Sequence, residues 1–179
     1  MSGKYKFHNP EGLYFVSFAT IHWIDVFVRR IYCDILVASL KYCIKEKGML
    51  LYAWCIMPSH IHLIFRSTKE EPQRMLQDFK KHTAKKVIQA IKDNVQESRR
   101  EWLIRAIKRA GKKTGRQHQF WQHGNRPIEL WSNEIIEQKV NYIHENPVEA
   151  GFVQESHFWQ YSSAIDYSGG KGLIQLEFL

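Results

Sequence analysis

At 179 residues the chain can bury a sizeable core but is too short for two full domains. Hydrophobic residues at 44% and aromatics at 13% exclude disorder, and no apolar run approaches the length a membrane-spanning helix needs. The 26 Lys and Arg against 18 Asp and Glu leave a formal net charge of +8, an excess that draws polyanions, with nucleic acid the first candidate.

The N-terminal residues from Met1 to His8 include basic side chains but no following apolar stretch, so nothing there marks the chain for export and the expected compartment is the cytoplasm. Leu13 to Trp23, rich in aromatic and β-branched residues after Asn9-Pro-Glu-Gly, predicts a first strand. Ile31, Ile35, Leu36, Ala38, Leu40, Cys43 and Ile44 recur at helical spacing from Arg30 to about Glu46, and Gly48 is the stop. Met49 to Met57 and Ile61 to Phe65 predict two strands joined at Pro58-Ser59. Cys33, Cys43 and Cys55, odd in number and without C-x-x-C spacing, are expected to be buried thiols.

Glu71 to Asp93 predicts a long amphipathic helix with a basic outer face. Arg99 to Ala110 repeats the pattern, and Gly111-Lys-Lys-Thr-Gly-Arg predicts a flexible basic loop. From Lys80 to Arg116 the basic residues outnumber the acidic ones so heavily that the segment forms a patch, which is either a solvated helical face or a surface for nucleic acid. His118 to His123 predicts a last strand, its Phe120-Trp121 pair assigned to packing, and Ser132 to Asn146 a helix that stops before Pro147. The order β-α-β-β-α-β plus a final helix is that of an α+β, ferredoxin-like split βαβ antiparallel sheet with helices on one face. The expectation is one domain over residues 1–179, with a core at about 13–153, a basic helical insertion at about 95–117, and a C-terminal arm at about 154–179 that packs back.

Two groups of residues can carry chemistry. On an extended segment His60 and His62 point to one side of the sheet and Ile61 to the other, which offers two imidazoles to a divalent ion. Taken alone, the pair is more readily read as polar residues on an exposed strand face. Tyr142 and Asn146 are one helical turn apart, so the Asn146 carboxamide could complete a metal site beside the phenol. A phenol with a pKa near 10 is a poor nucleophile unless its target is activated, and a metal-bound phosphodiester would be such a target. The product would be a 5′-phosphotyrosine and a free 3′-hydroxyl, and rejoining would need no ATP. Tyr142 alone also fits a packed tyrosine near a helix end. His144 faces away from the Tyr142–Asn146 side, and Lys139 is read as a surface lysine.

Taken together, Trp54-Cys-Ile-Met-Pro-Ser-His-Ile-His-Leu-Ile, Val140-Asn-Tyr-Ile-His-Glu-Asn-Pro-Val-Glu-Ala-Gly-Phe-Val and Trp159-Gln-Tyr-Ser-Ser-Ala resemble the HUH-type single-tyrosine transposases of the insertion-sequence family, and Asn146 resembles their REP-associated branch. The resemblance spans Tyr14 to about Tyr167 and implies His60, His62 and Asn146 as ligands of magnesium or manganese, and Tyr142 on a catalytic helix as covalent nucleophile. It implies a metal-dependent endonuclease and strand transferase acting on single-stranded or hairpin DNA, as monomer or homodimer. The competing expectations are a non-catalytic hairpin-binding module of the same fold and a structural zinc site. The basic insertion, Gln89 to Gln117, departs from compact relatives.

Overall fold

The computed structural model describes residues 6–178. Four strands, β1 (Tyr14–Ala19), β2 (Met49–Ile56), β3 (His60–Ser67) and β4 (Ile128–Glu129), form an antiparallel sheet in the order β2-β3-β1-β4. This is the ferredoxin-like order, so the α+β expectation holds. Helices α1 (Arg30–Lys47), α2 (Pro72–Asp93) and α3 (Arg100–Lys113) belong to one face, and α4 (Asn133–Glu149) covers the other. A short α5 (Ala164–Tyr167) follows.

Burial on both faces explains why the strands are nearly continuous runs of apolar residues. Along β3, Ile61, Leu63 and Phe65 enter the cluster under α1 and α2, while Ile64 joins Phe15, Ala53, Cys55, Val140 and Ile143 under α4. Strand alternation therefore places His60 and His62 on the α4 side. Helix α1 turns Tyr32, Cys33, Leu36, Val37, Leu40 and Cys43 inward and ends at Gly48 with φ 73°; of the stripe read from its periodicity Leu36, Leu40 and Cys43 are buried, whereas Ile31 and Ala38 are exposed. The three cysteines are free and buried, and burial pushes the Cys43 thiol up to about 11 and that of Cys33 to about 12.

Four expectations need correction. The first strand stops at Ala19, and Ile21–Trp23 forms a 3-10 turn. Residues 118–123 are not a strand beyond one bridge, Thr20 to Trp121. Phe120 and Trp121 are adjacent yet both sink into the same cluster, and the pleat of a regular strand would send them to opposite faces. Helix α4 does not end before Pro147 but runs to Glu149. Its stop is a Schellman arrangement on Gly151 (φ 74°), with the Phe152 amide donating to the Pro147 carbonyl and the Gly151 amide to Val148, both at 2.9 Å.

The fourth correction concerns 111–116. Helix α3 continues through Lys113, and Leu103, Ile107 and Ala110 are buried in the main core, so this basic segment is built into the fold. At Gly111 an added Cβ would lie 2.7 Å from backbone atoms of Arg116 and His118. Gly→Ala inside a helix normally stabilises by about 1 kcal/mol, but here a backbone cannot step aside. Gly111→Ala is expected to cost roughly 1–2 kcal/mol net, read as a lowered urea midpoint.

The C-terminal arm does pack back, along the outer edge of β2. The Ile56 amide donates to the Tyr161 carbonyl, Ser163 to Trp54, and Glu177 to Leu51, which covers an edge that would otherwise invite pairing with another chain. Two members of the basic patch also turn structural. Lys80 donates to the carbonyls of Gln122 and Gly124 and to Asn125 Oδ1 within 3.0 Å, and Arg99 pairs with Asp25.

Candidate active site

The structure brings the four predicted residues into one neighbourhood. His60 and His62 share the α4 face of β3 with ring centroids 4.8 Å apart, and the Tyr142 ring lies 5.3 Å from that of His62. Val140, Ile143, His144 and Pro147 form the buried side of α4, and Tyr142, on its flank, is 43% exposed. The Asn146 side chain, one turn on, reaches His60 closely enough to act on its protonation.

His62 is the most unusual side chain. It is 2% exposed, and neither ring nitrogen has a hydrogen-bond partner. Phe15 stacks on it at 5.7 Å. Burial first, then the charges of His60 and Lys139, hold its pKa down at about 3. The imidazole is thus neutral with a free lone pair, the state a metal requires. His60 is lowered too, by burial, against an upward pull from Asn146, and Ser59 Oγ lies 3.2 Å from its Nδ1. An orphaned buried imidazole is costly unless something else engages it. Among the described residues no three His, Cys, Asp or Glu side chains group around a metal position. The donors the neighbourhood presents are the two imidazoles of His60 and His62 and the carboxamide of Asn146.

Lys139 is not the peripheral lysine expected from sequence. It is half-buried, its ammonium 5.1 Å from the Phe15 ring centroid and 5.5 Å from that of Tyr142. The i to i+3 spacing from Lys139 to Tyr142 carried that signal. Phe15 and Trp23 also border the site, and nothing in their sequence context sets them apart from core aromatics.

His144 stays outside, as its helical position implied. It is buried, its Nε2 2.8 Å from Ser163 Oγ, and burial lowers its pKa to about 4. Unfolded, the same group titrates near 6.5. Between those values the unfolded chain binds more protons than the folded one, so stability rises with pH there and is lost on acidification from 6.5, levelling off near 4. In chelator, the loss at pH 4.5 relative to pH 7.5 is expected to include about 2–3 kcal/mol from His144. His144→Gln should lack that part, as measured by urea midpoints at the two pH values.

On the α2 side lies a groove of about 1250 Å³, lined by Lys81, Lys85, Lys92 and Arg116 together with Gln73 and Gln77, and by no carboxylate. No helix among the described residues is long and apolar enough to cross a membrane.

Residues 24–105 match the family model described as Transposase IS200 like. That match agrees with the resemblance drawn from the motifs; the matched segment includes His60 and His62 and ends before α4. No curated protein matches the chain in sequence. A solved structure of a REP-associated tyrosine transposase bound to a REP hairpin superposes with TM-score 0.66 at 15% identity, covering 99% of this chain and 92% of that one, and so has the same fold. A second, provisionally assigned as a transposase of Deinococcus radiodurans R1, gives TM-score 0.48 at 19% identity over 80% of this chain and 95% of that one.

Proposed function

We propose that this chain, with its IS200-like transposase segment, is a metal-dependent single-stranded DNA endonuclease and strand transferase that works through a 5′-phosphotyrosine intermediate. The observation that carries this is the orphaned, neutral His62, which lies beside His60 on one side and the half-exposed phenol of Tyr142 on the other. A structural histidine would be expected to find a partner for at least one ring nitrogen.

Tyr142 Oη gives up its proton as it attacks the scissile phosphorus, the P–O3′ bond breaks, and the departing oxygen takes up one proton to become a free 3′-hydroxyl, so no net proton is gained or lost. The ester formed keeps the energy of the broken bond, so a 3′-hydroxyl from another strand can reverse the step. Lys139 adds positive charge next to the phenol, where the incoming phosphate is negative. Phe15 closes the floor between His62 and Tyr142 and keeps water from beneath the rings. His60, His62 and Asn146 would hold magnesium or manganese, which would supply the charge that offsets the developing phosphorane and orients the phosphate.

The substrate is proposed to be DNA with a hairpin beside the cleaved strand. A relative of the same fold is bound to a REP hairpin, and the carboxylate-free groove beside α2 offers cations for phosphates and carboxamides for base edges. The test is incubation with 5′- and 3′-labelled hairpin oligonucleotides in manganese. The expected result is a denaturant-stable protein–DNA adduct that retains the DNA 3′ of the cut, together with a free 3′-hydroxyl fragment, and no adduct in chelator. Hairpin binding without any adduct over a range of flanking sequences would favour a binding module instead.

A further inference from the structure

His22 and Trp23, neither of them glycine, stand consecutively in the left-handed region at φ 53° and 55°. That conformation is disfavoured for any residue with a Cβ and most of all for a bulky one, so the surroundings must enforce it. They do so through Thr20, which is buried: its hydroxyl donates to the Ile24 carbonyl at 2.7 Å and lies 3.0 Å from that of Ser59, and its amide donates to Ser59 at 2.9 Å. Gln122 Nε2 donates to the Thr20 carbonyl, the Trp23 amide donates to the same carbonyl, and the Phe27 amide donates to Pro58. The turn is thus fastened to Pro58 and Ser59, the residues that lead into His60.

What the enforced turn achieves is exposure of an indole. Ile21, Ile24, Val26 and Phe27 around it are buried, yet Trp23 is 52% exposed, and its ring meets His60 at 5.3 Å and 69°. The consecutive ring distances run Trp23 to His60, His60 to His62 and His62 to Tyr142. A strained backbone that presents a half-exposed aromatic at the edge of a site points to a ligand-binding role. The ligand class follows from the chemistry: a flat apolar surface next to a phosphate-binding centre fits an unpaired nucleobase, which stacks regardless of its identity.

We propose that Trp23 is a stacking platform for an unpaired base that flanks the phosphate attacked by Tyr142. The identity of the ligand rests on the DNA-cleaving role proposed above. The turn spends conformational freedom so that the indole is rigid before the strand arrives, and the base is held without reading its sequence.

The test is binding of fluorescein-labelled 12-nucleotide single strands, oligo-dA, oligo-dT and an abasic strand of the same length, to the full chain carrying Tyr142→Phe so that the probes stay intact. With Trp23 present, affinity is expected to fall from dA to dT to abasic. Trp23→Gly, which accepts a positive φ, should cut the dA-to-abasic ratio by about 10-fold while leaving abasic binding unchanged, and Trp23→Phe should restore part of it. Equal loss for all three probes, or a ratio unmoved by Trp23→Gly, overturns the platform. The two proposals fail separately. An adduct formed by the native chain together with an unmoved ratio removes the platform alone, and a collapsed ratio without any adduct removes the cleavage reading alone.

Discussion

Tyr142→Phe is expected to abolish the protein–DNA adduct while leaving the fold and DNA binding in place. The phenyl ring keeps the edge contacts that Tyr142 makes with Phe15 and His62. The lost hydroxyl belongs to a side chain 43% exposed, so stability should change by no more than about 0.5 kcal/mol. Activity should respond on another scale. Removing a covalent nucleophile costs on the order of 10⁶ in rate where the rest of the site has nothing to replace it. No cysteine or serine takes its place on the exposed side of α4, and Cys55 on the facing strand is sealed off and far too weakly acidic to serve. The measurement is adduct yield over time by denaturing gel, with anisotropy of the same oligonucleotide as control. An adduct from the Phe variant at more than a thousandth of the native rate would mean that another group attacks.

Much of this arrangement was legible in the sequence because two periodicities are strict. The two-residue alternation along His60-Ile61-His62 and the four-residue step from Tyr142 to Asn146 each fix a side, and the strand and helix that carry them are bounded by strong signals. Local pattern could not show that β3 and α4 face each other, because that depends on Val140 and Ile143 meeting Ala53, Cys55 and Ile64 across the sheet. The resemblance supplied the pairing. The 118–123 error arose for the opposite reason: aromatic composition predicts a strand, but Trp121 takes its position from Thr83, through a bond from Nε1 to Oγ1 at 3.1 Å, and from the ring of Phe18. Pro147 misled because its fixed φ is compatible with helix and it sits near the end, where one lost hydrogen bond is tolerable. Lys80 counted toward a surface charge patch, and only the tertiary structure shows its ammonium bound to three oxygens inside. Charge patterning locates a basic segment but cannot tell which of its lysines turn inward.

His62→Leu should separate function from stability in the other direction. In the metal-free chain His62 is a buried polar ring with two unpartnered nitrogens, and such a group costs about 1–3 kcal/mol compared with one that is satisfied. Leucine is smaller than the ring but apolar, and its neighbours Phe15 and Cys55 on the same face are apolar as well. The expected result in chelator is a stability equal to or up to about 2 kcal/mol above native, measured by urea unfolding at pH 7.5. The acid sensitivity should also weaken, because a ring held neutral down to about pH 3 no longer contributes to the proton imbalance between folded and unfolded chains. With manganese present the order should reverse. The native chain gains stability as the ion binds the folded state alone, the Leu variant gains little, and its adduct formation drops by at least about 100-fold. A destabilised variant in chelator, with native stability unmoved by manganese, would identify His62 as a packing residue and remove the metal from the proposed chemistry. Two opposite signs from one substitution are what a residue kept for its ligand, at the expense of the fold, should give.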